Sequence, residues 1–510
     1  MAATASSRHQ LRAALIGLVL LGTGVHLFLS DRLLLEGAAG KQTHTAMIAR
    51  NLYRGRATLA RPSVDDMGKP GYFVKEIPLL PASAALVYAL TGRVDERVGR
   101  MLSVAGWLAG IPLLAAILRR ALPAGAVVVA AAWWIVAPLA FVYARAFMTD
   151  ATMVTASLAA FLALLRFREQ PSRGRAAASA ALVGLALLLK PHAVFWIGPS
   201  ASVLLLSRTT IDVRPNARWL GVQAGTLALA AALAAGWYLH AAAVHRQYPA
   251  PGATGFQGWF VAAALLEPAF YGELVRQVVL MAFTPLGLAV AIAGVVLDRR
   301  PLHLVERALL AWAAGVVVQC FVFDTRLFDE AARGTEYYQL AMVPVAALLI
   351  GHGTTALAHR VAGPRAAAAA AGILLLLIAG AALQIRAALA LPERYARILA
   401  DCEIVGRKTT VHDELFVLAD RGGTILYYCD RRGTTFVPAR AVSRVFAHED
   451  NVVGVRQVAD ALDRATYVYV PFPDLLGEDS RWLSMFDENF DRVDTPGSDM
   501  RLYRQRTRTR

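Results

Sequence analysis

Apolar runs of about 18 to 24 residues recur along the first three quarters of the chain, and a run of that length has few ways to fold. Backbone placed in hydrocarbon has to satisfy its own hydrogen bonds, so such runs are read as helices crossing a membrane. The spans fall at 11–30, 98–118, 124–144, 151–167, 174–190, 194–208, 218–240, 274–297, 304–323, 337–358 and 365–389, about eleven crossings. With 57% hydrophobic residues over 510 positions, the expected fold class is an α-helical polytopic membrane protein. After Leu389 the composition changes to that of a soluble module. There ELFVLAD, ILYYCDR and ATYVYVPF read as short strands and VRQVADALDR as a helix, which predicts a small α/β domain over 391–510 behind a membrane domain over 1–390.

The net charge of +15 is carried largely by arginines between the apolar runs. Arg119 and Arg120, Arg166 to Arg175, Arg208 to Arg218, Arg299 to Arg307, and Arg360 with Arg365 fall at every second connection, the pattern of cytoplasmic loops. No nucleic-acid-binding motif accompanies the charge, so that class is set aside. The expectation is a cytoplasmic N-terminus, with 11–30 an uncleaved anchor. The stretch 77–92, interrupted by Pro78 and Pro81, lies along the outer surface, and the C-terminal module is outside. Cys402 and Cys429 then share a compartment that permits oxidation, where they either pair or stay as thiols. Cys320 is expected to be lipid-buried, and no cysteine has metal-ligand spacing. The absence of an internal repeat argues against a transporter of duplicated halves.

One outer loop, 31–97, has the charge density that chemistry needs: His44, Arg50, Arg54, Asp65, Asp66, Lys69, Lys75 and Glu76. HTAMIARNLYRG predicts a short helix on the membrane surface. Pro78 to Ala89 predicts a second, with Gly92 as terminator. A further loop, 241–273, with Trp259, Phe260, Phe270 and Tyr271, reads either as an interfacial helix or as a plain connector.

The order of IARN on a surface helix, KPGYFVKEIPL, GRVDERVGRMLS turning into a membrane helix, RAFMTDA, LLLKPHAVFWIGP and TEYYQLAMVPVAALLIG resembles that of polyprenyl-phosphate-sugar-dependent glycosyltransferases of the GT-C fold. These include the family 39 protein mannosyltransferases and the aminoarabinose transferases of lipid A. The resemblance covers most of residues 10 to 390. It implies transfer of a sugar from a polyprenyl-phosphate donor to an acceptor hydroxyl at the outer face of a bacterial-type inner membrane, by inverting displacement. A carboxylate takes the proton, cations hold the leaving phosphate, and an apolar groove takes the prenyl chain. Lipid A, another envelope glycan and a protein are all candidate acceptors.

Where many relatives carry an acid just before the IARN-type helix, this chain reads Lys41 to Thr45 with no carboxylate. The candidate bases are therefore Glu76, Asp150 and His44. Asp65 and Asp66, alternative bases and substrate-binding candidates from the same loop, are otherwise a solvated turn before Gly68, and Arg50 and Lys69 are further substrate-binding candidates there. Asp150 follows Thr149, so the two either cap a helix or serve chemistry, with Arg145 placed to pair with the acid. Lys190, followed by Pro191 and His192, either snorkels to headgroups or meets phosphate. Arg326 and Arg333 are phosphate candidates, while Glu336, Tyr337, Tyr338 and Gln339 are read as donor-site lining. No cofactor is required, although His44 with the loop carboxylates offers donors for a divalent ion. The alternative readings are a lipid-linked sugar flippase and a GT-C-like protein that binds a lipid-linked sugar without turnover.

Overall fold

The computed structural model describes residues 5–28, 30–207, 215–248, 260, 262–298, 300–322, 336–362, 365–388, 397–418, 423–436, 458–476 and 481–506. The membrane part runs α1 (Ala5–Leu27), α2 (Ala39–Tyr53), α3 (Leu79–Thr91), α4 (Glu96–Leu108), α5 (Gly110–Leu118), α6 (Ala124–Val136), α7 (Pro138–Tyr143), α8 (Asp150–Glu169), α9 (Arg173–Leu189), α10 (Val194–Leu206) and α11 (Ala217–Gln247). It continues through α12 (Pro268–Arg276), a π-helical stretch Gln277–Phe283, α13 (Pro285–Leu297), α14 (Leu304–Val322), a 3-10 segment Glu336–Met342, α15 (Val343–Ala362) and α16 (Ala366–Ala388).

Every expected crossing is helical, but not every helix is long. Among the described residues seven helices are long and apolar enough to span a bilayer, and an eighth if the pair Pro268–Phe283 and Pro285–Leu297, bent by 82°, counts as one. The expected crossing at 124–144 is broken at Ala137, and those at 174–190 and 194–208 are helices of 17 and 13 residues. Prolines explain the breaks. The residue before a proline is pushed out of the α region; Ala137 before Pro138 and Lys190 before Pro191 both have extended ψ, 132° and 127°.

Small residues set the packing distances between membrane helices. A Cβ on Gly315 of α14 would stand 1.9 Å from the Phe195 carbonyl oxygen of α10. Trp107 of α4 and Trp134 of α6 stack with centroids 3.7 Å apart, and each indole N–H donates to the other's carbonyl oxygen at 3.0 and 3.1 Å. Two large side chains thereby bury their polar atoms in mutual contacts.

Beyond the bundle, α17 (Ile398–Lys408), β1 (Glu414–Leu418), α18 (Thr424–Tyr428), β2 (Arg432–Phe436), helix α19 (458–464), β3 (Tyr467–Val470), α20 (Arg481–Asn489), β4 (Phe490–Val493) and β5 (Arg501–Gln505) form an α/β module. Its sheet has the order β2-β1-β3-β5-β4, parallel across β2, β1 and β3 and antiparallel across β3, β5 and β4. ELFVLAD and ATYVYVPF form strands as expected. ILYYCDR does not: Thr424, Ile425, Leu426 and Tyr427 are buried in succession in helix α18. A strand with one buried face alternates, so the unbroken apolar run fits a buried helical turn. A disulfide joins Cys402 of α17 to Cys429 just after α18.

Helix α2 of the outer loop is not a surface element, whereas α3 exposes Leu79, Leu86 and Leu90. Helix α2 buries Gln42, Thr43 and Thr45 to Asn51, because the bundle lies on one side of it and the α/β module on the other. Loop residues 65 to 68 run along the free edge of β2. Gly433 N donates to Asp65 O at 2.8 Å, and Gly68 N to Gly433 O at 2.7 Å. Only glycine fits at 433, where a Cβ would fall 1.8 Å from the Leu415 carbonyl oxygen. Helix α3 ends at Gly92 with φ of 71°, the left-handed terminator expected there.

Candidate functional site

Four charged side chains from four parts of the chain meet where the loop closes over the bundle. Asp150 is the first residue of α8, where the unpaired amides of a helix start favour a negative charge. Lys190 leaves the end of α9, where Pro191 stops the helix and turns the lysine inward. Its Nζ lies 2.5 Å from Asp150 Oδ1, and both side chains are buried. Lys41 comes from the first turn of α2, with Nζ 4.0 Å from Asp150 Oδ2 and 3.4 Å from Glu76 Oε1. Glu76 is anchored by its neighbours: Ile77 N donates to Leu188 O at 3.1 Å, and the Trp237 indole donates to Lys75 O at 2.9 Å. Thr149 Oγ1 donates to Glu76 Oε1 at 3.2 Å.

Tyr337 and Tyr338, delivered by the 3-10 segment, cover the lysines. Lys190 Nζ lies 4.9 and 5.1 Å from the two ring centroids, and Lys41 Nζ 5.1 Å from that of Tyr337. Such contacts stabilise a cation most where water is excluded. Burial alone would lower the Lys41 pKa, yet the charges of Glu76 and Asp150 outweigh it and hold the ammonium protonated well beyond its usual range. Burial alone would raise Glu76, but Lys41 and Lys190 hold its carboxyl well below the usual carboxylate range. Both stay ionised through neutral pH. Asp150 Oδ2 accepts no hydrogen bond from the described residues, so this buried carboxylate keeps one oxygen for something else.

The other expected site residues are distributed around this cluster. Thr149 and Asp150 do not cap α8 by side chain, since the threonine hydroxyl serves Glu76. Arg145 does not pair with Asp150. It is ion-paired with buried Glu36, which also has Arg100 at 3.9 Å. Lys190 does not snorkel: it is 2% exposed. His192 is buried with its ring 5.2 Å from Tyr338. Glu336 accepts from Tyr143 Oη at 2.7 Å and from Arg276 Nη2 at 3.2 Å. Gln339 donates to Cys320 Sγ at 3.1 Å, both side chains being buried. Arg326 and Arg333 lie outside the described residues.

Five loop candidates belong to the seam with the α/β module instead. His44 Nε2 is 2.7 Å from Asp66 Oδ2. Asp65 accepts from Arg50 Nη2 at 2.9 Å and Asn51 Nδ2 at 3.1 Å, with Arg432 Nε at 3.3 Å. Asp65 and Asp66 are thus buried, and the solvated-turn reading is corrected: the turn is roofed by β2. Arg50 also donates to Tyr427 O at 2.9 Å. Lys69 pairs with Glu414 at 2.8 Å on the surface. No group of three His, Cys, Asp or Glu converges as a metal-ligand set among the described residues.

Sequence reasoning missed Lys41 and Glu36. The signal for Lys41 was present, since a lone lysine standing where relatives carry an acid asks for a counter-charge, and Glu76 supplies it. Glu36 lies five residues before Lys41, outside the Lys41 to Thr45 stretch where the resemblance places an acid.

A family model described as dolichyl-phosphate-mannose-protein mannosyltransferase matches residues 75–238, which include Glu76, Asp150 and Lys190. No sequence among curated proteins matches the chain. Among solved structures it is similar to ArnT from Cupriavidus metallidurans bound to undecaprenyl phosphate, with a TM-score of 0.64 at 14% identity over 96% of this chain and 97% of that one. It is also similar to the arabinofuranosyltransferase AftD from Mycobacteria, with a TM-score of 0.57 at 15% identity over 97% and 40%. For the oligosaccharyltransferase AglB from Archaeoglobus fulgidus, in complex with an inhibitory peptide and a dolichol-phosphate, the TM-score is 0.53 at 12% identity over 97% and 74%. These likenesses extend over bundle and module together, and the chain has the GT-C fold that the order of its motifs implies.

Proposed function

We propose that this chain is an integral membrane glycosyltransferase that moves a sugar from a polyprenyl-phosphate donor to an acceptor hydroxyl at the outer face of a bacterial inner membrane. The observation that carries the reading is the cluster of buried Asp150 and Lys190 with half-buried Lys41 and Glu76 beneath two tyrosines, held in a GT-C fold. ArnT with undecaprenyl phosphate and AglB with a dolichol-phosphate support a lipid phosphate as the donor's common part. The N-terminus is cytoplasmic in this reading and the α/β module extracytoplasmic, where its disulfide is stable.

Asp150 is the base. Its Oδ2 takes the proton as the acceptor oxygen bonds to the anomeric carbon, and the bond from that carbon to phosphate oxygen breaks with its electron pair. One displacement inverts the anomeric centre. The negative charge leaves Asp150 on protonation and appears on polyprenyl phosphate, facing Lys41 and Lys190. Glu76 is a positioning residue that keeps Lys41 charged and in place. His44, locked to Asp66, supports the loop and takes no proton from the acceptor.

Proteoliposomes holding a radiolabelled polyprenyl-phosphate sugar, given envelope extract, test the assignment. A transferase puts label into the extract and releases polyprenyl phosphate. A flippase moves the lipid across the bilayer intact, and a binding protein leaves it unchanged; either result rejects the proposal.

A further inference from the structure

Two wholly buried polar side chains beside the charged cluster make no hydrogen bond with the described residues: the Gln319 amide, at both Oε1 and Nε2, and the Trp196 indole N–H. Buried polar groups are almost always satisfied, and a glutamine with both ends unpaired in a membrane span carries a desolvation penalty that leucine would not.

Their position is fixed by the antiparallel packing of α10 and α14. Ser200 Oγ donates to Ala308 O at 3.1 Å, and Gly315 rests on the backbone of Phe195. One more turn along α14 reaches Gln319, and about one turn back along α10 reaches His192, directly after Pro191 and Lys190. The next residue of α14, Cys320, bonds to Gln339, the neighbour of Tyr338. Trp196 has its ring 5.5 Å from that of His192, on the same side of α10. The unpaired groups therefore flank the side of Lys190 and Asp150 that is built from α10, α14 and the 3-10 segment.

The donor set selects the ligand. An indole N–H only donates, whereas the glutamine amide offers one acceptor and two donors. A partner for both is neutral and carries groups that donate and accept, with apolar C–H faces for the rings of Trp196 and Tyr338. The prenyl chain has no such groups, and the phosphate is met by the lysines. We propose that Trp196 and Gln319 form the subsite for the sugar ring of the donor and determine which sugar is accepted, an inference that rests on the glycosyltransferase reading.

The test uses the full chain in nanodiscs and measures affinity for undecaprenyl phosphate and for a panel of undecaprenyl-phosphate sugars, in wild type, Gln319→Leu and Trp196→Phe. Both substitutions are apolar, Leu close to Gln in volume and Phe smaller than Trp, and either alone suffices should the other fail to fold. The expected result is equal binding of the sugarless lipid by all three proteins. At least one sugar-bearing lipid binds wild type about tenfold tighter than each variant, and the ranking of sugars changes in the variants. Wild-type affinity and ranking in both variants would overturn the proposal and assign the groups to buried water. So would a wild type that binds every sugar lipid no better than the sugarless one. A wild type that binds neither kind of lipid overturns the donor assignment itself, a distinct failure.

Discussion

Replacing Asp150 by Asn separates the chemical role of the cluster from its structural role. The Lys190 ammonium is 2.5 Å from the carboxylate and both side chains are at most 3% exposed. At an effective dielectric near 20 the attraction is about 6 to 7 kcal/mol, most of it offset by the cost of taking the two ions out of water. Removing one partner of a buried pair typically costs about 3 to 5 kcal/mol, because the other is left uncompensated. In Asp150→Asn two lysines then share Glu76, so the value belongs at the lower end, about 3 kcal/mol. Transfer should fall about 100- to 10,000-fold, the range for loss of a general base. The double variant Asp150→Asn with Lys190→Met removes the stranded ammonium. Its thermal midpoint, followed by intrinsic fluorescence in detergent, should recover toward wild type while single-turnover transfer stays lost. The reasoning is refuted if Asp150→Asn keeps more than about a tenth of wild-type transfer, or if transfer returns with stability in the double variant.

Three further outcomes follow from the same contacts. Glu76, depressed below its ordinary 4.5, contributes stability that is present above that pH and lost as pH falls through its folded value. Lys41, raised above its ordinary 10.5, contributes stability that is present below that pH and lost as pH rises through its folded value. The thermal midpoint should thus show no step from this pair between about pH 5 and pH 10. Glu76→Gln should start less stable and lose less on acidification, and an acid limb identical to wild type would contradict the pairing. Reducing the Cys402 to Cys429 bond, which spans 27 residues, should cost about 3 to 4 kcal/mol on chain-entropy grounds. Tyr427, Tyr428 and Asp430 beside it contact α2 and the loop, so transfer should fall with it; an unchanged midpoint under reductant would count against the bond. Gly315→Ala should separate α10 from α14 and lower the midpoint by several degrees, since the new methyl would sit on the Phe195 carbonyl.

The helical order was legible because each membrane crossing writes itself as a long apolar run. Helix lengths were less so, since Pro138 and Pro191 stop helices inside runs whose composition continues unchanged. Glu76, Asp150 and Lys190 were identified singly as polar residues at the edges of apolar segments. Their meeting was not legible, because contact across 40 residues between Asp150 and Lys190, and a longer separation to Lys41, is set by the packing of α8, α9 and α2. Arg145 was expected on Asp150 because it is near in sequence, but Glu36 is nearer in space. Helix α2 read as a surface helix because the module that covers it lies more than 300 residues away. ILYYCDR carries strand-forming residues, yet Ile425, Leu426 and Tyr427 are buried in succession at the seam and form a helical turn.

The most direct measurement of the central claim is the mass balance of a single turnover by purified protein with a radiolabelled polyprenyl-phosphate sugar and acceptor extract. The account predicts one equivalent of polyprenyl phosphate released for each sugar appearing on an acceptor, with both formed at least about 100-fold more slowly by Asp150→Asn although that variant still binds the lipid. Transfer by Asp150→Asn at more than about a tenth of the wild-type rate, or lipid that is bound by wild type and never cleaved, would contradict it.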